Sequence, residues 1–357
     1  MEELDKLRNR IDEIDDRILD LLNRRAETVI EVGKTKQSGK MKYHSPERER
    51  QIFERLTTKN KGPFPNDALK FIYREILSAS LSLEEPLKVV GLGPSATFTH
   101  LAALRQFGSS ASFIPVDSIK LVFENVELWK ADYGVVPIEN STEGVVSYTL
   151  DMFIDFDLKI AAEIILEVSH NLLSTQTEKS GIKRIYSHPQ PLAQCRHWLE
   201  SNMPGVPIIE SSSTSKAAEL ASKDREAAAI ASELAAKVYD LSFVEKNIAD
   251  SRHNVTRFLV ISKEFPAKTG NDKTSIMFSI KDSPGALYEI LLPFRKMKIN
   301  LTKIESRPSK RKAWEYIFFV DMEGHIEDRK LKKAIESIKE GCLYLKILGS
   351  YPQGGIQ

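Results

Sequence analysis

Residues 87–117, "LKVVGLGPSATFTHLAALRQFGSSASFIPVD", set an apolar run, a turn rich in glycine and hydroxyls, and a second apolar run that ends on Asp117. Short apolar runs bounded by Gly, Pro and Ser read as buried strands. The same grammar continues in YGVVPI (133–138), LKIAAEII (158–165), IKRIY (182–186), VPIIE (206–210), AAAIA (227–231) and RFLVI (257–261), with helices between. That alternation predicts an α/β domain with a mostly parallel sheet over residues 87–263. Within it, Gly91-x-Gly93-x-x-Ala96 and the terminal Asp117 imitate a dinucleotide-binding turn. Pro94 argues against NAD, because it removes a backbone donor where a pyrophosphate needs one.

The flanking segments read differently. Over residues 1–85, Leu4, Leu7, Ile11, Ile14, Ile18 and Leu21 recur at alternating three- and four-residue steps, one narrow helical stripe. No proline precedes Pro46, so a first helix of about 35 residues is expected, long enough to want a partner chain. A second helix opens at Ser45-Pro46-Glu47, a capping hydroxyl followed by proline in the first turn. A third runs from Asn66 to Leu83, with Leu69, Ile72, Tyr73, Ile76 and Leu77 inward. After the polar stretch KEFPAKTGNDK (263–273), read as a linker, residues 274–357 follow the order βαββαβ, which suggests a ferredoxin-like α+β sandwich.

The 357 residues leave room for about two or three domains. A net charge of +1 gives no footprint for nucleic acid or a membrane surface. Cys195 and Cys342 are the only cysteines, which supply neither a disulfide framework nor a metal spacing. The amino terminus is charged from its second residue, unlike a secretion signal, and no long uncharged apolar stretch spans a bilayer. A cytoplasmic protein with no metal and no cofactor is expected.

Continuing the first stripe puts Arg25 on the seam, where an unpaired Arg is rare. It meets either a structural carboxylate or an anionic ligand. Lys36 lies about 16 Å further on nearly the same face, close enough for the two side chains to grip the ends of a small dianion. Arg8 lies about 25 Å from Arg25 and can join only from a second, antiparallel chain, so an intertwined dimer is expected. Ser80 and Glu84 share a ridge of the third helix and can face Arg48 and Glu49 of the second. The stretches LRNRIDEIDDRILDLLNRRAETVIEVGKTK, SPERERQIFERL and FIYREILSASLSLE resemble the all-helical chorismate mutases. The resemblance implies that Arg8 (from the partner chain), Arg25 and Arg48 bind the substrate carboxylates. By the same match Lys36 and Glu84 address the ether oxygen, Glu49 a hydroxyl, and Ser80 lines the pocket. Ser45, where some members carry Asp, is left out of the chemistry. The implied reaction is a pericyclic rearrangement, accelerated by positioning and by charge placed where the ether oxygen becomes negative.

In the central segment five polar loops stand at strand ends, where open α/β sheets bind ligands: TFTH (97–100), ENSTEG (139–144), SHPQ (187–190), SSSTS (211–215) and NVTRF (254–258). Taken singly, each reads as a helix cap or a solvated loop. Together, with GPSATFTHLAA, YGVVPIENSTEGVV and NVTRFLVI in order, they resemble prephenate dehydratase, departing at Ala96 (usually Gly) and Thr99 (usually Ser). The resemblance implies a two-lobed, periplasmic-binding-protein-like fold with Thr256-Arg257-Phe258 as catalytic signature. Thr256 would protonate the departing ring hydroxyl and Arg257 would hold a carboxylate. Thr97, Thr99, Glu139, Asn140, Ser141, Thr142, Ser187, Gln190, Ser213 and Thr214 would line the cleft. His188 could serve as a general acid, but in a turn before Pro189 it reads as structural. A non-catalytic binding protein is the competing class.

In the last segment KDSPGALYEILLPF and INLTKIESRPSKRKAWEYIFFVD resemble the regulatory ACT domain. The match implies a phenylalanine pocket between two such domains, built from Gly285-Ala286-Leu287 and Glu305-Ser306-Arg307-Pro308. The expectation is therefore three domains, 1–85, 87–263 and 274–357, acting on chorismate and prephenate under phenylalanine control, as a homodimer or tetramer.

Overall fold

The structure, a computed structural model, describes residues 1–38, 44, 46–251, 253–308 and 316–355. It divides into one unit of Met1–Lys88 with Gln106–Ser112, and a second of Val89–Arg105 with Phe113–Gln357.

The first unit holds α1 (Glu2–Ser38), α2 (Pro46–Lys59) and α3 (Asn66–Ser82). α1 carries Glu2, Glu3 and Asp5 in its first turn and Lys36 in its last, charges that complement the helix dipole. The expected cap Ser45 lies outside the described residues. The stripe faces outward, with Leu4 at 52%, Ile11 at 56% and Leu21 at 59% exposure. α2 buries no residue and α3 buries only Ser78 and Ser80. Three helices so arranged do not close a core of their own.

The rest of the chain runs β1 (Lys88–Leu92), α4 (Phe98–Phe107), β2 (Ser112–Val116), α5 (Ile119–Glu127), β3 (Tyr133–Asn140), β4 (Gly144–Val145), α6 (Ser147–Asp155) and β5 (Lys159–Glu167). Then come β6 (Asn171–Ser174), β7 (Arg184–Ser187), α7 (Pro189–Gln194), α8 (Arg196–Asn202), β8 (Ile208–Glu210), α9 (Thr214–Ser222), β9 (Ala227–Ala231), α10 (Glu233–Val238), β10 (Ser242–Glu245) and β11 (Val255–Ser262). Two sheets form, ordered β2-β1-β3-β11-β5 (with β4 on β3) and β10-β6-β9-β7-β8. The chain therefore crosses between two lobes twice, after β5 and before β11. The expected mostly parallel sheet is replaced by two mixed ones. β11 returns antiparallel to both β3 and β5, and β6 is antiparallel to β9 and β10. β6 and β10, NLLS and SFVE, each set only two apolar residues between polar ones and carry no strand signal in the sequence.

The last segment runs β12 (Asp272–Ile280), α11 (Ala286–Lys296), β13 (Leu301–Pro308), β14 (Tyr316–Glu323), α12 (Arg329–Lys339) and β15 (Cys342–Pro352), with sheet order β13-β14-β12-β15. Strand alternation sorts its side chains. Ile276, Phe278 and Val320 pack beneath α11 and α12, whereas Met277, Phe319, Leu348 and Tyr351 join Val136, Leu259 and Ile261 in the core of the first lobe. Both faces of this sheet are covered. The stretch read as a linker accordingly ends early: β12 begins at Asp272, and Lys273 is buried against Glu163 at 2.8 Å.

Candidate active site

In the helical unit, α1 and α3 approach closely at Gly33, where a Cβ would stand 2.9 Å from the Glu84 side chain. Around that approach the Arg25 guanidinium donates to the Ser80 hydroxyl, and Lys36 Nζ lies 3.4 Å from Glu84 Oε2. Burial lowers the Arg25 pKa from its very high ordinary value. Four predicted residues thus form two contacting pairs. Glu49 instead meets His44 at 3.2 Å, Arg48 is exposed with Nη1 3.4 Å from Gln51, and Arg8 stands exposed beside Asp5 near the start of α1.

In the α/β segment a cavity of about 720 Å³ opens at the strand ends. Thr97, Thr99, Asn140, Gln190, Ser213, Thr214 and Thr256 line it, with His188, which accepts from the Gln190 amide as the cap of α7. The N-termini of α4 and α9 border it, and helix N-terminal amides favour anions. The turn before α4 places Ala96 at φ +67, buried. That left-handed conformation costs a non-glycine residue about 1–2 kcal/mol, and the His100 ring accepts from the Ala96 amide at 3.0 Å.

The polar groups form one connected set. Asn140 Nδ2 donates to Asn254 Oδ1 and to Thr256 Oγ1, both at 2.8 Å, while Asn140 Oδ1 accepts from the Thr142 amide and hydroxyl. Gln194 Nε2 donates to Thr142 and Glu143, and its Oε1 accepts from Asn254. His170 meets that same oxygen through Nε2 at 2.7 Å, so Nε2 carries the proton. Burial lowers the His170 pKa, keeping the ring neutral. Gln194, Asn254 and His170 line the cavity; Asn254 opens the NVTRF loop, but Gln194 and His170 were missed in the sequence. A lone Gln inside PLAQC and a His before an apolar run carry no spacing signal.

Several expected lining residues point elsewhere. Ser187 is buried and donates to the Ile230 carbonyl, and Ser141 ties to His253 and Val255. Phe258 is a core side chain at 2% exposure. Arg257 lies on the opposite face of β11 from Thr256. Its guanidinium is taken by Glu163 (2.7 Å), Asp321 (2.7 Å), Glu139 (3.1 Å) and the Tyr351 hydroxyl (3.1 Å). The expectation that Arg257 holds a substrate carboxylate is corrected on that ground, because protein carboxylates already fill its fork. Burial opposes its charge, but Asp321 and Glu163 outweigh that and push its pKa further up. Glu139 likewise turns from the cleft to Arg257 and Lys303.

In the last segment, Gly285 sits at φ +81 just before α11, a conformation that favours glycine. Along β13, Ser306 and Pro308 face outward, whereas Arg307 Nε lies 3.1 Å from Asp151 of α6. Among the described residues no group of His, Cys, Asp and Glu could hold a metal.

Family models match in the order of the domains: chorismate mutase type II over residues 7–85, prephenate dehydratase over 89–266 and ACT domain over 274–340. A relative named bifunctional chorismate mutase/prephenate dehydratase, from Aquifex aeolicus, is 54% identical over all of both chains. The chain belongs to the bifunctional chorismate mutase/prephenate dehydratase family. The likeness extends to the Escherichia coli member at 32% identity over 98% of this chain and 96% of that one. Among solved structures, the prephenate dehydratase of Arthrobacter aurescens in complex with L-Phe is 34% identical, with TM-score 0.68 over 74% of this chain and 90% of that one. Members of this family are enzymes twice over, an isomerase and a carbon–oxygen lyase on one polypeptide.

Proposed function

We propose that the helical unit rearranges chorismate to prephenate and that the two-lobed segment converts prephenate to phenylpyruvate, with Thr256 as the acid. One observation carries the second half. Thr256 Oγ1 accepts from Asn140 Nδ2, which occupies a lone pair and leaves the O–H free to point into the cavity it lines. Protonating the ring hydroxyl there lets water leave as the carboxylate is lost, and aromatisation drives both bond cleavages. The neutral His170–Gln194–Asn254 set and the helix N-termini orient the dianion. General acid catalysis is worth about 10²–10⁴-fold. Thr256→Ala is therefore expected to lower dehydration of prephenate by about that factor while the rate of chorismate rearrangement in the same sample stays at wild-type level. Equal loss of both activities would refute the assignment.

In the helical unit Lys36 and Glu84 address the ether oxygen, Arg25 and Ser80 hold a carboxylate end, and the remaining cations are Arg48 and the partner's Arg8. The outward stripe of α1 supports a second copy of the chain there. Phenylalanine is the effector, taken near Gly285, Ala286 and Leu287 and the outward side of Glu305 to Pro308. With Arg307 on Asp151, Glu305 and Ser306 are the polar groups of that stretch offered to meet it. We assign these tasks to residues 1–85, 87–263 and 274–357, in a cytoplasmic homodimer. Among the described residues no helix is long and apolar enough to cross a membrane.

A further inference from the structure

β11 and β3 carry two polar pairs side by side. Thr256 stands opposite Asn140 and faces the cavity, while Arg257 stands opposite Glu139 and faces the ACT sheet. The rear pair is tied to that sheet at three strands. Asp321 of β14 accepts from Arg257 at 2.7 Å, Lys303 of β13 pairs with Glu139, and the Tyr351 hydroxyl of β15 accepts from Arg257 at 3.1 Å. Glu163 of β5 takes both Arg257 and Lys273. Three cations thus meet three carboxylates, and Arg257, Glu163, Lys273 and Asp321 are each under a tenth exposed, at 8%, 3%, 8% and 8%. Buried charges of this kind are tolerated only when matched and hydrogen-bonded. The network is closed, and none of it is left over to bind a ligand.

The backbone explains what the network is for. The register between β11 and β3 shifts between Arg257 and Phe258, and a bulge disrupts the ladder and re-aims the neighbouring side chain. At this point the aim of Thr256 is therefore set by what grips the residue beside it. We propose that Asp321 and Lys303, both ACT side chains, are positioning residues for the dehydration step: they clamp Arg257 and Glu139 from behind and thereby fix Asn140 and the Thr256 hydroxyl in front. The inference rests on Thr256 being the acid.

The test uses the full chain with Asp321→Asn and, separately, Lys303→Met. Asn keeps the volume and an acceptor for Ser275, which donates to Asp321 Oδ1 at 2.5 Å, and it removes the charge together with the oxygen that accepts from Arg257. Dehydratase kcat and KM for prephenate are measured well below the unfolding transition, with mutase kcat on the same sample as an internal reference. A small misplacement of a reacting group costs rate rather than binding, so kcat is expected to fall by about tenfold or more while KM changes by less than about threefold. Mutase kcat is expected to stay at wild-type level. Dehydratase kcat within about twofold of wild type in both variants overturns the proposal, even if their thermal midpoints drop, because a purely structural role lowers the folded fraction and not the rate per folded molecule. Should Asp321→Asn fail to fold, Lys303→Met, whose side chain is 14% exposed, decides the matter alone. Thr256→Ala runs alongside. Dehydration that survives Thr256→Ala faults the acid assignment, whereas a dead Thr256→Ala beside fully active Asp321 and Lys303 variants faults the clamp alone.

Discussion

Gln194 is the side chain whose two ends are both spoken for: its oxygen accepts from Asn254 and His170, and its nitrogen donates to Thr142 and Glu143. A carboxylate at that position cannot donate and would face Glu143. Thr142 and Glu143 are exposed, so the cost comes from the lost donor and from like charge facing Glu143, not from stranded buried groups. Gln194→Glu is therefore expected to lower dehydratase kcat/KM by about tenfold, read with prephenate against an unchanged mutase rate. Glu139 offers a pH test. Burial raises its pKa, but Lys303, by hydrogen bond and by charge, outweighs that together with Arg257, so the carboxyl titrates below its ordinary value. A depressed carboxylate contributes stability above the unfolded pKa, about 4.3, and loses it as pH falls through the lower folded value. The thermal midpoint is expected to drop between about pH 5 and pH 3 more steeply in wild type than in Glu139→Gln. Parallel curves would show that Glu139 is not the group responsible.

The long helices were legible because their periods run over many turns: α1 came out as Glu2–Ser38 and α3 as Asn66–Ser82. Among the short strands β7 and β8 were legible, but β6 and β10 were not, since NLLS and SFVE each set only two apolar residues between polar ones. The cleft was half legible. Hydroxyl-rich loops announced Thr97, Ser213 and Thr256, yet no local pattern told that Arg257 and Glu139, adjacent to Thr256 and Asn140, alternate onto the opposite face and meet charges more than 60 residues away. Gly33 is a case at element scale. Alanine in a helix interior is favoured over glycine by about 1 kcal/mol, but its Cβ would displace Glu84 from Lys36. Gly33→Ala is expected to keep or raise the thermal midpoint while lowering mutase kcat/KM by about tenfold or more. Dehydratase activity is expected to stay unchanged. An undiminished mutase rate would mean that Glu84 does not need that place.

A chain that exposes Leu4, Leu7, Ile11, Ile14, Ile18 and Leu21 at about half their surface each displays an apolar patch of the kind that marks an association site. Arg8 lies along the same helix, too far from Arg25 to share one small ligand. Both facts are answered by the proposed second α1 running antiparallel, with each site taking Arg25 from one chain and Arg8 from the other. In a two-fold dimer this makes a complementation experiment decisive. Arg8→Ala and Arg25→Ala chains should each be inactive as mutases. Co-expressed, they form mixed dimers in which one site loses both arginines and the other keeps both. With random pairing half of the dimers are mixed, so about a quarter of all sites should regain wild-type chemistry. Dehydratase activity, complete within each chain, should not change in any of the three preparations. Mutase activity at the level of the single variants in the mixed sample would place Arg8 outside the site and leave the exposed stripe to some other partner.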